Sequence, residues 1–311
     1  MGKRPPDEGR LIQLVYYAYV SLSWIARRLP EGLVYRSAAW IGRLGARRSK
    51  KRFQVARNLS IITGQPPTSA HVLDLVRRSF ESYARYWLET FRLVRESPEF
   101  FLDRFRVHNQ HKLFDGMMGD KGAIVVVGHL GNWDAAGAWV GANGHRLVTV
   151  VEVLKPRRMF EFFADHRAKL GMTIFPAEKG VTTRLAKAAE DGAVVAILGD
   201  RDLKGAGPEV TFFGKPANFP AGPASIALAT KLPLCVAPVY SEVHDDGRHG
   251  WTAVIGDVIP LPGPDEPEPI GELTQRIASE LERVIAERPE EWHVFGPFWQ
   301  EDRVPGGRAV T

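Results

Sequence analysis

The chain has 311 residues, 44% of them apolar, enough to bury a large core in one domain. Its formal charge of +5 is uneven: residues 1–57 hold thirteen Lys or Arg against three Asp or Glu, a balance of +10, which leaves −5 for the rest. The single cysteine, Cys235, excludes an intrachain disulfide framework and a cysteine-based zinc cluster, and points to a reducing compartment.

Leu11 to Ile25, LIQLVYYAYVSLSWI, reads as a helix too short and too interrupted by Gln13, Ser21 and Ser23 to span a bilayer. No small-residue cleavage pattern follows it, so a secretory signal is not expected. Tyr16, Tyr17, Tyr19 and Trp24 suit a headgroup region, and Arg27 and Arg28 follow directly. An interfacial helix fits these properties, and packing on the domain is the alternative. Tyr35 to Leu44 is a second amphipathic segment running into Arg47, Arg48, Lys50, Lys51 and Arg52, the densest positive run. Such a cluster can contact anionic lipid at roughly 1 kcal/mol per charge, with a solvated helix face as the competing account. No stacking aromatics on alternating strand positions accompany it, so nucleic acid is not an expected partner.

Gly64 to Thr68, GQPPT, breaks the chain before a helix over Val72–Phe91, whose Leu75, Phe80, Tyr83, Tyr86, Trp87 and Phe91 are packing or channel residues, with core packing the favoured reading. Residues 99–118 are expected to form a helix, a short strand near Phe105–Val107, and another helix. Ala123 to Gly137, AIVVVGHLGNWDAAG, is the centre of the chain: a buried strand, Ile124–Val127, then His129, a turn with Gly131 and Asn132, and a helix opening with Trp133 and Asp134. That turn lies where open α/β sheets place ligands, and a histidine held there by a carboxylate can take a proton near neutral pH.

Leu147–Val153 is the next strand and carries Glu152, which is costly to bury without a partner. Lys155, Arg157 and Arg158 supply positive charge just beyond it, and Arg157, Arg158 and Arg167 are candidate partners. A helix over 158–170, a short strand over 173–175, a helix over 182–190 and a buried strand over 192–198 follow. The last delivers Asp200, Arg201 and Asp202 to the same edge as His129, with Asp200 and Arg201 expected to pair and order their loop. Glu209 sits in an extended segment, and Phe212, Phe213 and Phe219 are core or tunnel candidates. A helix follows Pro220. Leu234–Tyr240 and Trp251–Ile255 are predicted strands, Gly271–Glu287 an amphipathic helix, and EEWHVFGPFW the tail.

The HLGNWD turn, Glu152, Arg167, GDRDL and EVTFFGKP together resemble the lysophospholipid acyltransferase-like superfamily, and within it the bacterial lipid A lauroyl/myristoyl acyltransferase branch. Inside that branch the resemblance is nearest to the actinobacterial group that acylates phosphatidylinositol mannosides. It implies one α/β acyltransferase domain over 1–311, a buried mixed sheet flanked by helices, with membrane-associating helices at about 9–57. It further implies attachment to the cytoplasmic face of the plasma membrane, peripheral or monotopic. The implied reaction is transfer of a long acyl group, palmitoyl by preference, from acyl-CoA to the mannose 6-hydroxyl of a phosphatidylinositol mannoside. No metal and no prosthetic group are expected. His129 and Asp134 match the superfamily's H-x4-D motif, in which the lipid A branch commonly has glutamate at the Asp134 position, a departure that favours the mannoside-acylating group; Glu152, Arg167 and Glu209 look like the further polar active-site positions. The Asn and Ser that flank the motif histidine in glycerol-phosphate acyltransferases are here Gly128 and Gly131, and their later E-G-T-R motif is absent.

On this reading His129 is the general base, Glu209 its preferred relay partner and Asp134 the organiser of the turn, with Asp134 as the alternative partner. Backbone N–H groups of His129–Asn132 are expected oxyanion donors. Arg167 fixes Glu152 or meets an anionic group, and the basic run meets lipid headgroups or CoA phosphates. Lipid A-type or other glycolipid acyl transfer is the nearest alternative. A thioesterase or esterase, disfavoured by the lack of a G-x-S-x-G elbow, and a non-enzymatic lipid-binding protein are the alternatives of other classes.

Overall fold

The computed structural model describes residues 10–113, 121–153, 157–202, 205–263 and 269–302. Lys155, the end of the expected helix reaching residue 118, and the centre of the acidic loop before the last helix lie outside them.

Four helices open the chain: α1 (Arg10–Ala26), α2 (Glu31–Arg48), α3 (Lys51–Thr63) and α4 (Ala70–Leu93). Gly64 ends α3 in the left-handed region, φ 66°, and the Ser69 side chain caps α4 by accepting from the Val72 amide at 3.2 Å. No helix among the described residues is long and apolar enough to cross a membrane. Next come α5 (Pro98–Arg104) and β1 (Phe105–His108).

A doubly covered parallel sheet follows. Its strands are β2 (Ala123–Val127), β3 (Leu147–Val151), β4 (Met172–Pro176), β5 (Val194–Leu198) and β8 (Leu234–Val236), in the spatial order β4-β3-β5-β2-β8. The crossovers are α6 (Trp133–Ala142), α7 (Arg157–Lys169), α8 (Val181–Glu190) and α9 (Gly222–Thr230). β2 is buried along its whole length, which is why it reads as an unbroken apolar run. Its side chains alternate between two cores. Ile124 and Val126 join one with α8, α9 and α10 (Pro269–Glu287). Ala123, Val125 and Val127 join the other with α6 and the second sheet.

That second sheet pairs β1 in parallel with β10 (His249–Val254), and β10 antiparallel with β9 (Val239–Val243). The single strand expected over Leu234–Tyr240 is therefore two strands in different sheets. Pro238 has no N–H to continue the ladder, and the chain changes sheets there. A hairpin, β6 (Glu209–Phe212) and β7 (Lys215–Asn218), lies apart from both sheets. Its turn places Phe213 and Gly214 at φ 50° and 72°, the backbone of a type I′ hairpin turn. The sequence carries no Asn-Gly or Asp-Gly there to announce it.

Candidate active site

β2 and β5 are parallel neighbours in which Val127 faces Leu198. His129 and Asp200 are each two residues beyond that pair, and the Gly199 amide donates to Val127 O at 2.9 Å to carry the ladder one step past the strand ends. Equal overhangs bring the two side chains together. His129 Nδ1 is 2.7 Å from Asp200 Oδ1, and the His129 amide donates to Asp200 Oδ2 at 2.9 Å. The Trp292 indole N–H donates to the same Oδ2 at 2.8 Å.

Asp200 is completely buried. Burial alone would raise its carboxyl, but the charge and hydrogen bonds of His129, with Trp292, outweigh it and hold Asp200 below the ordinary aspartate range. An ionised carboxylate can only accept, so neutral His129 carries its proton on Nδ1 and presents Nε2 as a base.

The expected pairing of His129 with Glu209 is replaced by this one. Glu209 is exposed on the hairpin, where it accepts from Gln300 Nε2 at 2.9 Å. Asp200 turns toward the histidine instead of Arg201, because the strand ends leave it pointing inward while Arg201 lines the cavity described below. Asp134 is not the histidine's partner either. Buried in the first turn of α6, it accepts from Arg167 Nε at 2.6 Å and from the Tyr86 hydroxyl at 3.3 Å. Burial pulls the Arg167 guanidinium down, but Asp134 and Tyr86 override it and raise it, so the guanidinium stays charged. Arg167 thus fixes Asp134 rather than Glu152. Glu152 lies one residue past β3, exposed at the cavity rim, so the anticipated burial cost does not arise.

The motif turn is also sealed from behind. Gly131 adopts φ 60°, and a Cβ there would collide with Val239 O, so both backbone conformation and space require glycine. Its amide donates to Glu291 O at 3.1 Å, and the His293 amide donates to His129 O at 2.7 Å. Two of the four expected oxyanion donors, the amides of His129 and Gly131, are therefore already engaged. Asn132 caps α6 by accepting from the Ala135 amide at 3.1 Å, while its Nδ2 donates to buried Glu89 at 3.0 Å. Glu89 also accepts from Trp251 Nε1 at 2.9 Å. Its carboxyl is raised by burial, only partly offset by Arg85 and these donors.

Beside His129 opens a largely apolar cavity of about 360 Å³ between α6 and the parallel sheet, walled also by Leu113 and by Phe105, Val107 and Ala253 of the second sheet. The sheet contributes layers set by strand register. Val127 and Leu198 lie next to His129, Val125, Ala196 and Thr149 one layer down, and Val194 and Leu147 at the bottom. Four residues separate top from bottom, about 13 Å. Tyr83, Tyr86 and Trp87 of α4 line it, although core packing is the favoured sequence reading of that helix and holds for Leu75, Phe80 and Phe91; Asp134, Arg167, Arg201, Glu152 and His293 supply polar groups. Phe212 and Phe219 are instead fully buried on the opposite face of the sheet, in tilted and edge-to-face contact with Phe298 respectively; Phe213 packs beside them. Among the described residues no group of three His, Cys, Asp or Glu side chains is placed to hold a metal ion.

A family model for bacterial lipid A biosynthesis acyltransferases matches residues 6–301. The chain belongs to this family. Among curated acyltransferases it is 31% identical to a phosphatidylinositol mannoside acyltransferase of Mycolicibacterium smegmatis, covering 99% of this chain and 98% of that one. It is 33% identical to the protein of the same name from Mycobacterium tuberculosis, over 94% of this chain and 91% of that one. In this family member the histidine of the motif and the aspartate of GDRDL form one buried unit, and the aspartate of the motif serves a second one with Arg167.

The amino-terminal residues lie away from this unit. Arg27 donates to Phe91 O, and Arg28 stacks over Trp24 at 3.8 Å. Arg47, Arg48, Lys50 and Lys51 are exposed, and Arg52 donates to Arg47 O. Trp24, Trp40 and Phe53 are 57%, 65% and 65% exposed, an unusual display of large aromatics on neighbouring helices.

Proposed function

We propose that this chain is an acyl-CoA-dependent glycolipid O-acyltransferase, transferring a long acyl group, palmitoyl by preference, to the mannose 6-hydroxyl of a phosphatidylinositol mannoside. The observation that carries the reading is the His129–Asp200 pair at the mouth of a deep apolar cavity. The names of the near-full-length relatives support the acceptor.

His129 Nε2 removes the proton from the acceptor hydroxyl as its oxygen attacks the thioester carbonyl carbon. Asp200 holds the ring and stabilises the imidazolium that forms. The tetrahedral intermediate collapses with cleavage of the C–S bond; the imidazolium returns its proton to the departing CoA thiolate, and the ester is left on the sugar. The alkyl tail lies in the cavity, which excludes water from it. Arg201 and Glu152, at the rim, face the polar parts of donor and acceptor. Trp24, Trp40, Phe53 and the 47–52 basic run support docking on an anionic leaflet, at the cytoplasmic face of the plasma membrane.

The test is mass spectrometry of products from palmitoyl-CoA offered mannosylated phosphatidylinositol, lysophospholipids and lipid A precursors, with His129→Ala as control. A palmitoylated mannoside that disappears in folded H129A supports the proposal. Product on a lysophospholipid alone, hydrolysis without transfer, or full transfer by H129A overturns it.

A further inference from the structure

We infer that Met172, lying across Gly137 of α6, ends the cavity and so sets the length of acyl chain this protein uses. The inference rests on the cavity being the donor's acyl site, as proposed above.

The strand register defines the bottom of the cavity. Leu147 of β3 faces Val194 of β5 on one side and Met172 of β4 on the other, so these three residues form one layer, four residues below Leu198. All three line the cavity. The opposite wall is α6, whose successive turns present Trp133, Gly137 and Val140. Gly137 lies against the same layer. A Cβ placed on it would be 2.5 Å from Met172 Sδ and 2.7 Å from Met172 Cε. The missing side chain of Gly137 is therefore the space that the Met172 thioether occupies.

Farther along α6 the helix comes close to the next segment of chain. One turn on, a Cβ on Gly141 would meet Leu170 O at 3.5 Å and Gly171 Cα at 3.8 Å, so α6 rests on the backbone joining α7 to β4. Among the lining residues of the five-stranded sheet, Met172 thus lies in the layer farthest from His129, and its thioether is unbranched and adaptable. A single methylene in an apolar pocket changes discrimination by about 10- to 200-fold, so a change of two or three heavy atoms at this floor is large enough to move an optimum.

The experiment measures kcat/KM for saturated donors from lauroyl- to arachidoyl-CoA with mannosylated phosphatidylinositol as acceptor. Wild type is compared with Met172→Ala, Gly137→Ala and the double variant, with thermal unfolding to confirm folding. Met172→Ala is expected to move the optimum to longer chains by at least two carbons, with the ratio between the new and old best donors changing about tenfold or more. Gly137→Ala pushes the thioether into the cavity and moves the optimum to shorter chains. The double variant returns toward wild type, because the alanine methyl then fills the space the methionine has vacated. Active variants whose optimum stays at the wild-type length overturn the assignment of Met172 while leaving the acyltransferase reading intact. Failure of wild type to transfer from any of these donors overturns both.

Discussion

Trp292 and His129 share one oxygen: the indole N–H and the histidine amide both donate to Asp200 Oδ2. The carboxylate therefore has Oδ1 reserved for the imidazole and Oδ2 fully engaged. Removing the indole donor in Trp292→Phe leaves a buried ionised oxygen under-satisfied. The expected cost is about 1.5–3 kcal/mol, the range for hydrogen bonds to charged groups. Urea unfolding at neutral pH measures it, and a change below 0.5 kcal/mol would show that Asp200 does not depend on the indole.

Asp200→Asn tests the pair itself. The amide cannot stabilise the imidazolium, and it can stabilise the wrong tautomer. A fall in kcat of about 10²–10⁴ is expected, with little change in KM for the donor. The pH dependence has a definite sign. Because the folded protein holds Asp200 below the ordinary aspartate value, its contribution to stability is present above about pH 4 and is lost as pH falls through the depressed folded value. The stability gap between wild type and D200N should therefore narrow on acidification below pH 4. A gap that is constant from pH 7 to pH 3 contradicts an ionised Asp200.

Glu89 behaves in the opposite sense. Its carboxyl is raised by burial, so its contribution is fully present below the ordinary glutamate value, about pH 4.3, and declines as pH rises through the raised folded value. Glu89→Gln removes that decline and is expected to gain stability relative to wild type as pH increases from 4 to 8. Glu89→Ala leaves Asn132 Nδ2 and Trp251 Nε1 without their acceptor, costing about 1–3 kcal/mol for each. It also loosens the cap that starts α6. Parallel chemical denaturation of the two variants across this pH range distinguishes the effects.

Lys50→Ala and Lys51→Ala should each weaken sedimentation with anionic vesicles about fivefold, corresponding to roughly 1 kcal/mol per surface charge. Binding to neutral vesicles should change little. Trp40→Ala, which removes an exposed apolar ring without altering charge, should weaken binding to both. Equal losses on both vesicle types for the lysine variants would argue against a headgroup contact.

Most of the framework was legible before any coordinates, for a physical reason. Buried parallel strands such as Ala123–Val127 and Val194–Leu198 must be apolar throughout, and their polar exits stand out against that run. His129 was legible on the same basis. Its partner was not, because pairing depends on strand neighbourhood and register. GDRDL offered Asp200 beside an obvious cation, Arg201, and only the Val127–Leu198 pairing shows that Asp200 overhangs to the same depth as His129. The signal that was available is this equal two-residue overhang. Trp292 and Glu89 were harder. Trp292 acts through its hydrogen bond to Asp200 and Glu89 through those from Asn132 and Trp251, all residues remote in sequence, and neither an isolated tryptophan in EEWHVFGPFW nor a glutamate within an amphipathic helix announces its acceptor or donors. The hairpin was missed because a Phe-Gly pair rarely occupies a turn with two positive φ values.

The backward grip of Glu291–His293 on the motif turn also orders events during synthesis. The ribosome has made both His129 and Asp200 long before it adds Trp292, 92 residues after Asp200. At usual elongation speeds that interval is roughly 5–18 s. Throughout it the nascent chain has a histidine and an aspartate but lacks the indole and the two backbone contacts that fasten their loops. On the proposed mechanism the pair is therefore completed late in translation, and a product terminated before Glu291 should lack both this fastening and the buried Trp292, Val294, Phe298 and Trp299 of the main core.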